Sequence, residues 1–152
     1  MSKPVSRYLP DTSATEALGA ALARIIRSGA VIYLHGDLGA GKTTLVRGLL
    51  QALGHKGAVR SPTYTLIEPY QFDRLNAFHL DLYRLGDPEE LDYLGIRELD
   101  DPAALVLIEW PERGHGWLPA ADISLRLSME KDGRNAEIAG HSEKGSELIK
   151  NL

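Results

Sequence analysis

Residues 36–43 read Gly-Asp-Leu-Gly-Ala-Gly-Lys-Thr. The pattern is Gly-x-x-x-x-Gly-Lys-[Ser/Thr], and its chemistry is phosphate binding. A nucleoside triphosphate carries several negative charges and many acceptor oxygens. Glycines let a backbone fold tightly around it with amide N–H groups turned inward. The N-terminus of a following helix adds partial positive charge. Lys42 would reach the β- and γ-phosphates as a point charge. The Thr43 hydroxyl would ligate Mg²⁺, which takes oxygen ligands and keeps several waters. The apolar run Val31-Ile32-Tyr33-Leu34 precedes the loop, and a helical pattern, Thr44 to Leu50, follows it. That strand–loop–helix setting is the one the motif requires.

A phosphate loop works with a second carboxylate that positions Mg²⁺, usually at the end of a buried strand. Glu109 closes Leu105-Val106-Leu107-Ile108, the most apolar strand pattern in the chain, and is the natural candidate, although Asp is the commoner residue. Asp81 falls inside an alternating pattern, on one face with His79 and Tyr83. A carboxylate there is unusual unless paired or functional. Its candidate tasks are orienting an attacking water, an indirect contact to Mg²⁺, or a plain ion pair with Arg84. Ser61-Pro62-Thr63-Tyr64-Thr65 occupies the region that senses the γ-phosphate in nucleotide switches; the plainer alternative is a turn with a capping hydroxyl. Trp110 either packs in the core or couples the site to a partner surface. His35, His55, His79, His115 and His141 show no metal-ligand spacing and read as ordinary surface or core histidines.

Several elements must carry these residues. Ser13-Ala14-Thr15-Glu16 is a capping box that predicts a helix start, continued by Leu18, Ala21, Leu22, Ile25 and Ile26 at helical spacing. A strand is expected at 31–35 and a helix from Lys42 to Leu53, stopped by Gly54. Tyr64 to Glu68 predicts a short strand, and Phe78 to Tyr83 another. Asp87-Pro88-Glu89-Glu90 predicts a second boxed helix start, with Gly95 as its stop. Ile123, Leu125, Leu127 and Met129 alternate with polar residues, and Asp132-Gly133 signals a hairpin returning over Arg134 to Ala139. Residues 143–152 form a helix or a frayed tail. The expected architecture is α/β: a mostly parallel central sheet with a small antiparallel addition at the C-terminal end.

Composition narrows the class. The 152 residues suffice for one domain with its own core, and one domain over 1–152 is expected. The apolar and charged fractions, 43% and 25%, are those of an ordinary globular protein. With no cysteine, disulfides and thiolate metal sites are excluded. No apolar stretch is long enough to span a membrane, and Met1 to Arg7 lacks a signal-peptide core, so a cytoplasmic location is expected. A net charge of −4 with scattered Arg and Lys argues against autonomous nucleic-acid binding.

Five segments together resemble one family: 36–44, Ser-Pro-Thr-Tyr-Thr-Leu at 61–66, His-Leu-Asp-Leu-Tyr-Arg-Leu at 79–85, Asp-Pro-Glu-Glu-Leu at 87–91 and Ile-Glu-Trp-Pro-Glu at 108–112. They are similar to TsaE (YjeE), the ATPase of bacterial tRNA threonylcarbamoyladenosine biosynthesis, over roughly residues 8 to 140. The phosphate loop is shared by many families; the 61–66 and 107–111 segments are far more specific. The resemblance implies a P-loop NTPase-type three-layer fold that binds ATP and Mg²⁺. It implies that Gly39, Ala40, Gly41, Lys42, Thr43 and Thr44 hold the phosphates. It further implies that Thr43 and Glu109 ligate the metal, that Lys42, Asp81 and Glu109 serve hydrolysis, and that Thr12 lies near the base. Trp110 and the 61–65 loop would line the site. The implied partners are TsaD, which transfers the threonylcarbamoyl group, and TsaB, with tRNA reached only through that complex. The competing expectations are a small-molecule kinase and a nucleotide-dependent scaffold without required hydrolysis. No paired-arginine lid segment is apparent for the kinase. Lys42→Ala is expected to lose triphosphate binding with the fold intact, because Lys42 is expected in an exposed loop.

Overall fold

The computed structural model describes residues 3–152. Seven strands form one sheet: β1 (Val5–Leu9), β2 (Ala30–His35), β3 (Ile67–Gln71), β4 (Asn76–Asp81), β5 (Leu105–Glu109), β6 (Ile123–Glu130) and β7 (Gly133–Gly140). Their order is β1-β7-β6-β2-β5-β4-β3. The pairs β6–β2, β2–β5 and β5–β4 are parallel, whereas β1–β7, β7–β6 and β3–β4 are antiparallel. The sheet is thus evenly mixed, correcting the mostly parallel expectation: antiparallel additions flank a parallel centre on both sides.

Helices lie on both faces. On one, α1 (Thr12–Ile25), α2 (Lys42–Leu53) and α4 (Glu143–Ile149) cover a core containing Leu18, Leu22, Ile32, Leu49, Leu107 and Ile149. On the other, the single-turn α3 (Glu90–Tyr93) and a 3₁₀ turn at Ile96–Leu99 cover Leu80, Val106 and Ile108. Because both faces are covered at the centre, β5 is buried at every position. That is why it reads as a continuous apolar run.

Local signals hold where the chain punctuates itself. Helix α2 spans the expected residues and ends at Gly54 in a left-handed conformation. Helix α1 starts earlier than the Ser13 box suggests. Asp11 is its N-cap, accepting from the Ala14 N–H at 2.8 Å, since Asp competes as well as Ser for that role. Asp87 makes a local turn, accepting from the Glu89 N–H, and α3 begins only at Glu90. Strand β4 runs 76–81 rather than 78–83. Pairing moves the hairpin by one residue: Glu130 faces Gly133, so Lys131 and Asp132 make the turn. The C-terminal segment is helical. Ser142 accepts from the Gly145 N–H and donates to Asp122, docking α4 on the start of β6.

The loop-bearing helix is held by close backbone approach. A Cβ on Gly19 of α1 would stand 2.1 Å from the Leu45 carbonyl oxygen, and one on Gly48 of α2 would stand 2.2 Å from that of Glu16. Alanine would gain about 1 kcal/mol of helix propensity. The clash forces two packed helices apart, and overpacking typically costs about 1–3 kcal/mol or more. Both neighbours here are rigid backbone, so the clash wins. Gly48→Ala should lower stability by about 2 kcal/mol, a fall in Tm of roughly 4–8 °C for a chain of this size. An unchanged Tm by calorimetry would contradict this account of the α1–α2 crossing.

Candidate functional site

Strand register brings the two carboxylates together. Asp81 pairs with Glu109 across β4–β5, and Glu109 pairs with Leu34 across β5–β2. Period-two alternation puts all three on the face that α2 covers. Both carboxylates end their strands beside the loop leaving β2, and both are buried, at 6% and 2% exposure. They line a cavity of about 240 Å³ with Gly41, Lys42, Thr43, Thr63 and Trp110.

The loop backbone is set by its glycines. Gly36, Gly39 and Gly41 have φ of 146°, 80° and 106°, values that side chains with a Cβ rarely adopt. No side chain caps the first turn of α2. Its leading N–H groups therefore lack intrahelical acceptors at the cavity. Arg134 of β7 braces the loop from outside: its guanidinium donates to the carbonyls of Ala40 (3.1 Å) and Gly39 (3.2 Å). A planar trans peptide with its carbonyl aimed at Arg134 turns the Gly41 N–H the opposite way. Arg134 had no motif to mark it; a lone arginine after a hairpin turn reads as surface.

Lys42 departs from expectation. It is 5% exposed and opens α2, not an exposed loop. Its Nζ lies 4.0 Å from the centroid of the Trp110 ring and donates to the Gly36 carbonyl. Burial holds its pKa below 10.5, while the nearby Glu109 and Asp81 carboxylates pull the other way. Trp110 itself has φ of 57°, which swings the chain out of β5 into the turn Pro111–Gly114.

Each carboxylate has its own hydrogen-bond set. The Thr43 hydroxyl donates to Glu109 Oε2 at 3.4 Å, and His79 Nε2 lies 2.6 Å from the same oxygen. Thr63 donates to Asp81 Oδ2 at 3.2 Å and is itself hydrogen-bonded to Ser61 at 2.8 Å. The Tyr83 N–H donates to Asp81 Oδ1. Arg84 does not pair with Asp81; its guanidinium lies over the Tyr64 ring. The 61–65 segment is therefore tied to Asp81, and the strand expected over Tyr64 to Glu68 begins later. Strand β3 starts at Ile67, after Leu66 turns with φ of 68°. Thr43 and Glu109 offer two hard oxygens on one edge of the cavity, a donor set suited to Mg²⁺. Among the described residues no group of three His, Asp or Glu side chains is arranged around one point. A cation here would complete its shell from phosphate and water, as Mg²⁺ does.

Thr12 and Thr44 meet on the loop's far side. They line a second cavity of about 230 Å³ with Asp11, Gly41 and Arg134. His79, read from sequence as an ordinary histidine, is wholly buried against Glu109. Its place in the alternation with Asp81 was the only signal available. Among the described residues no helix is long and apolar enough to cross a membrane.

Comparison with known proteins points to one family. The family model for "Threonylcarbamoyl adenosine biosynthesis protein TsaE" matches residues 9–137. The chain is 44% identical to the tRNA threonylcarbamoyladenosine biosynthesis protein TsaE of Haemophilus influenzae, over 95% of each chain. It is 40% identical to the Nostoc protein of the same name, over 93% of this chain and 90% of that one. The crystal structure of Bacillus subtilis YdiB is similar with a TM-score of 0.82 and 26% identity, covering 99% of this chain and 94% of that chain.

Proposed function

The chain belongs to the TsaE family of tRNA threonylcarbamoyladenosine biosynthesis, and from that premise we propose that it is a P-loop ATPase whose cycle drives or resets the TsaD–TsaB complex. The observation that carries this reading is the Asp81–Glu109 register pair, buried beside a Gly-Lys-Thr loop with Thr43 hydrogen-bonded to Glu109.

Each residue then has a task. Amides of Gly39 to Thr44 and the α2 terminus cradle the phosphates. Lys42 leaves the Trp110 ring to meet the β- and γ-phosphates. Thr43 and Glu109 hold Mg²⁺, which when bound neutralises phosphate charge. Asp81 accepts the proton of the attacking water or orients it. Thr12 stands at the base side. The Ser61–Thr63–Asp81 relay links the γ-phosphate position to the 61–65 loop, whose Ser61, Tyr64 and Thr65 are exposed. Loss of that phosphate then changes what a partner meets, and a partner preferring one state is driven on and off. Contact with tRNA runs through the complex, in the cytoplasm, and the threonylcarbamoyl transfer itself belongs to TsaD.

Among the described residues no arginine lines the 240 Å³ cavity, and an arginine finger is worth about 10³–10⁵ in rate. Phosphate release from MgATP is thus expected to be slow for the chain alone and at least roughly tenfold faster with TsaB and TsaD added. Fast turnover alone would contradict the partner-gated reading. Nucleotide binding without stimulated release would favour the scaffold.

A further inference from the structure

His79 is wholly buried, one alternation step before Asp81, and faces Leu107 across β4–β5. A leucine would fill that position in the core. Instead the imidazole aims Nε2 at Glu109 Oε2, 2.6 Å away, while Nδ1 has no hydrogen-bond partner. A carboxylate oxygen can only accept, so at this distance Nε2 carries a proton and donates it. That hydrogen bond satisfies a buried carboxylate.

The same Glu109 oxygen receives the Thr43 hydroxyl from the opposite side, at 3.4 Å. Among the described residues no other side chain hydrogen-bonds Glu109 to fix its rotamer, and its neighbour Trp110 turns the backbone away. We propose that His79 is the positioning residue of Glu109: its Nε2–H holds the carboxylate toward Thr43, so that the Mg²⁺ affinity of the nucleotide site depends on it. The proposal rests on the assignment of Glu109 to Mg²⁺.

The test uses the full chain and a fluorescent ATP analogue, titrated with Mg²⁺ and, separately, in EDTA. His79→Leu removes the donor and keeps an apolar filling. His79→Gln keeps an N–H near the Nε2 position. The expected result is a Mg²⁺ half-saturation raised about 10–100-fold in His79→Leu, the usual cost of losing a carboxylate's supporting partner. Affinity in EDTA should be unchanged, and His79→Gln should recover most of the Mg²⁺ dependence. If His79→Leu does not fold, His79→Asn replaces it, since its amide is too short to reach Glu109. A folded Leu or Asn variant with wild-type Mg²⁺ dependence would overturn the proposal, as would a Gln variant impaired equally. If the wild-type chain itself binds nucleotide without regard to Mg²⁺, the Glu109 assignment fails and the positioning role with it. That outcome is distinct because it appears before any substitution.

Discussion

Lys42→Met is expected to weaken ATP binding by on the order of a hundredfold or more while the chain stays folded. Truncating one partner of a desolvated charge pair costs about 2–5 kcal/mol, and Lys42 is the one lysine on the 240 Å³ cavity among the described residues. Methionine is the better replacement than alanine because Lys42 is buried. Its unbranched stem fills the same space, and its sulfur can lie against Trp110. The fold should tolerate the loss of charge. The pKa of Lys42 lies below its ordinary 10.5, with burial as the leading cause. A lysine that binds its proton less tightly when folded carries its charge at a cost. That cost is present at neutral pH and fades as pH rises through the lowered value toward 10.5. Removing the charge relieves it. Calorimetry should show an unchanged or raised Tm, and titration with a fluorescent ATP analogue should show the affinity loss. Near-normal affinity in a folded Lys42→Met chain would remove the loop from the proposed site.

Asp81→Asn should lower partner-stimulated ATP turnover by about 10²–10⁴, the range of a positioned general base, with nucleotide affinity little changed. The substitution suits the structure. Asparagine can accept from the Tyr83 N–H as Asp81 does, and its amide can donate to Thr63, which here donates to Asp81. Both hydrogen bonds survive with the direction of one reversed, so the 61–65 loop stays docked. Only the negative charge and the proton acceptor are lost. The measurement is single-turnover phosphate release with TsaB and TsaD present, beside a binding titration. Wild-type turnover would reduce Asp81 to a tether for the loop.

These two residues also show how far sequence reading reached. Lys42 and Asp81 were both named from local pattern, and so was Glu109, because a strand-ending carboxylate after a fully apolar run is informative by itself. Their mutual placement was not. The contact of Asp81 with Glu109 depends on strands β4 and β5 pairing in one register, which no contiguous stretch encodes. Arg84 illustrates the error that follows. It stands near Asp81 in sequence, yet alternation and the turn after β4 carry it to Tyr64 instead. Edge strands were equally hard to read. Strand β1 gave no prior signal, and β3 contains Pro69, which an edge position tolerates. Their existence depends on partners β7 and β4 offering unpaired backbone.

By itself the sequence determined the Gly-Lys-Thr loop, the helix it opens, the buried central strand and the family. Those features live in spacings of a few residues, where backbone preference and side-chain chemistry act directly. Only the tertiary structure decided that Lys42 is desolvated on Trp110, that Arg134 braces the loop, and that His79 faces Glu109. Those contacts join residues 30 to 94 positions apart in the case of the last two. They form because sheet order and register bring distant strands together, and burial, which propensity does not see, then sets the charge and hydrogen bonding of what meets there.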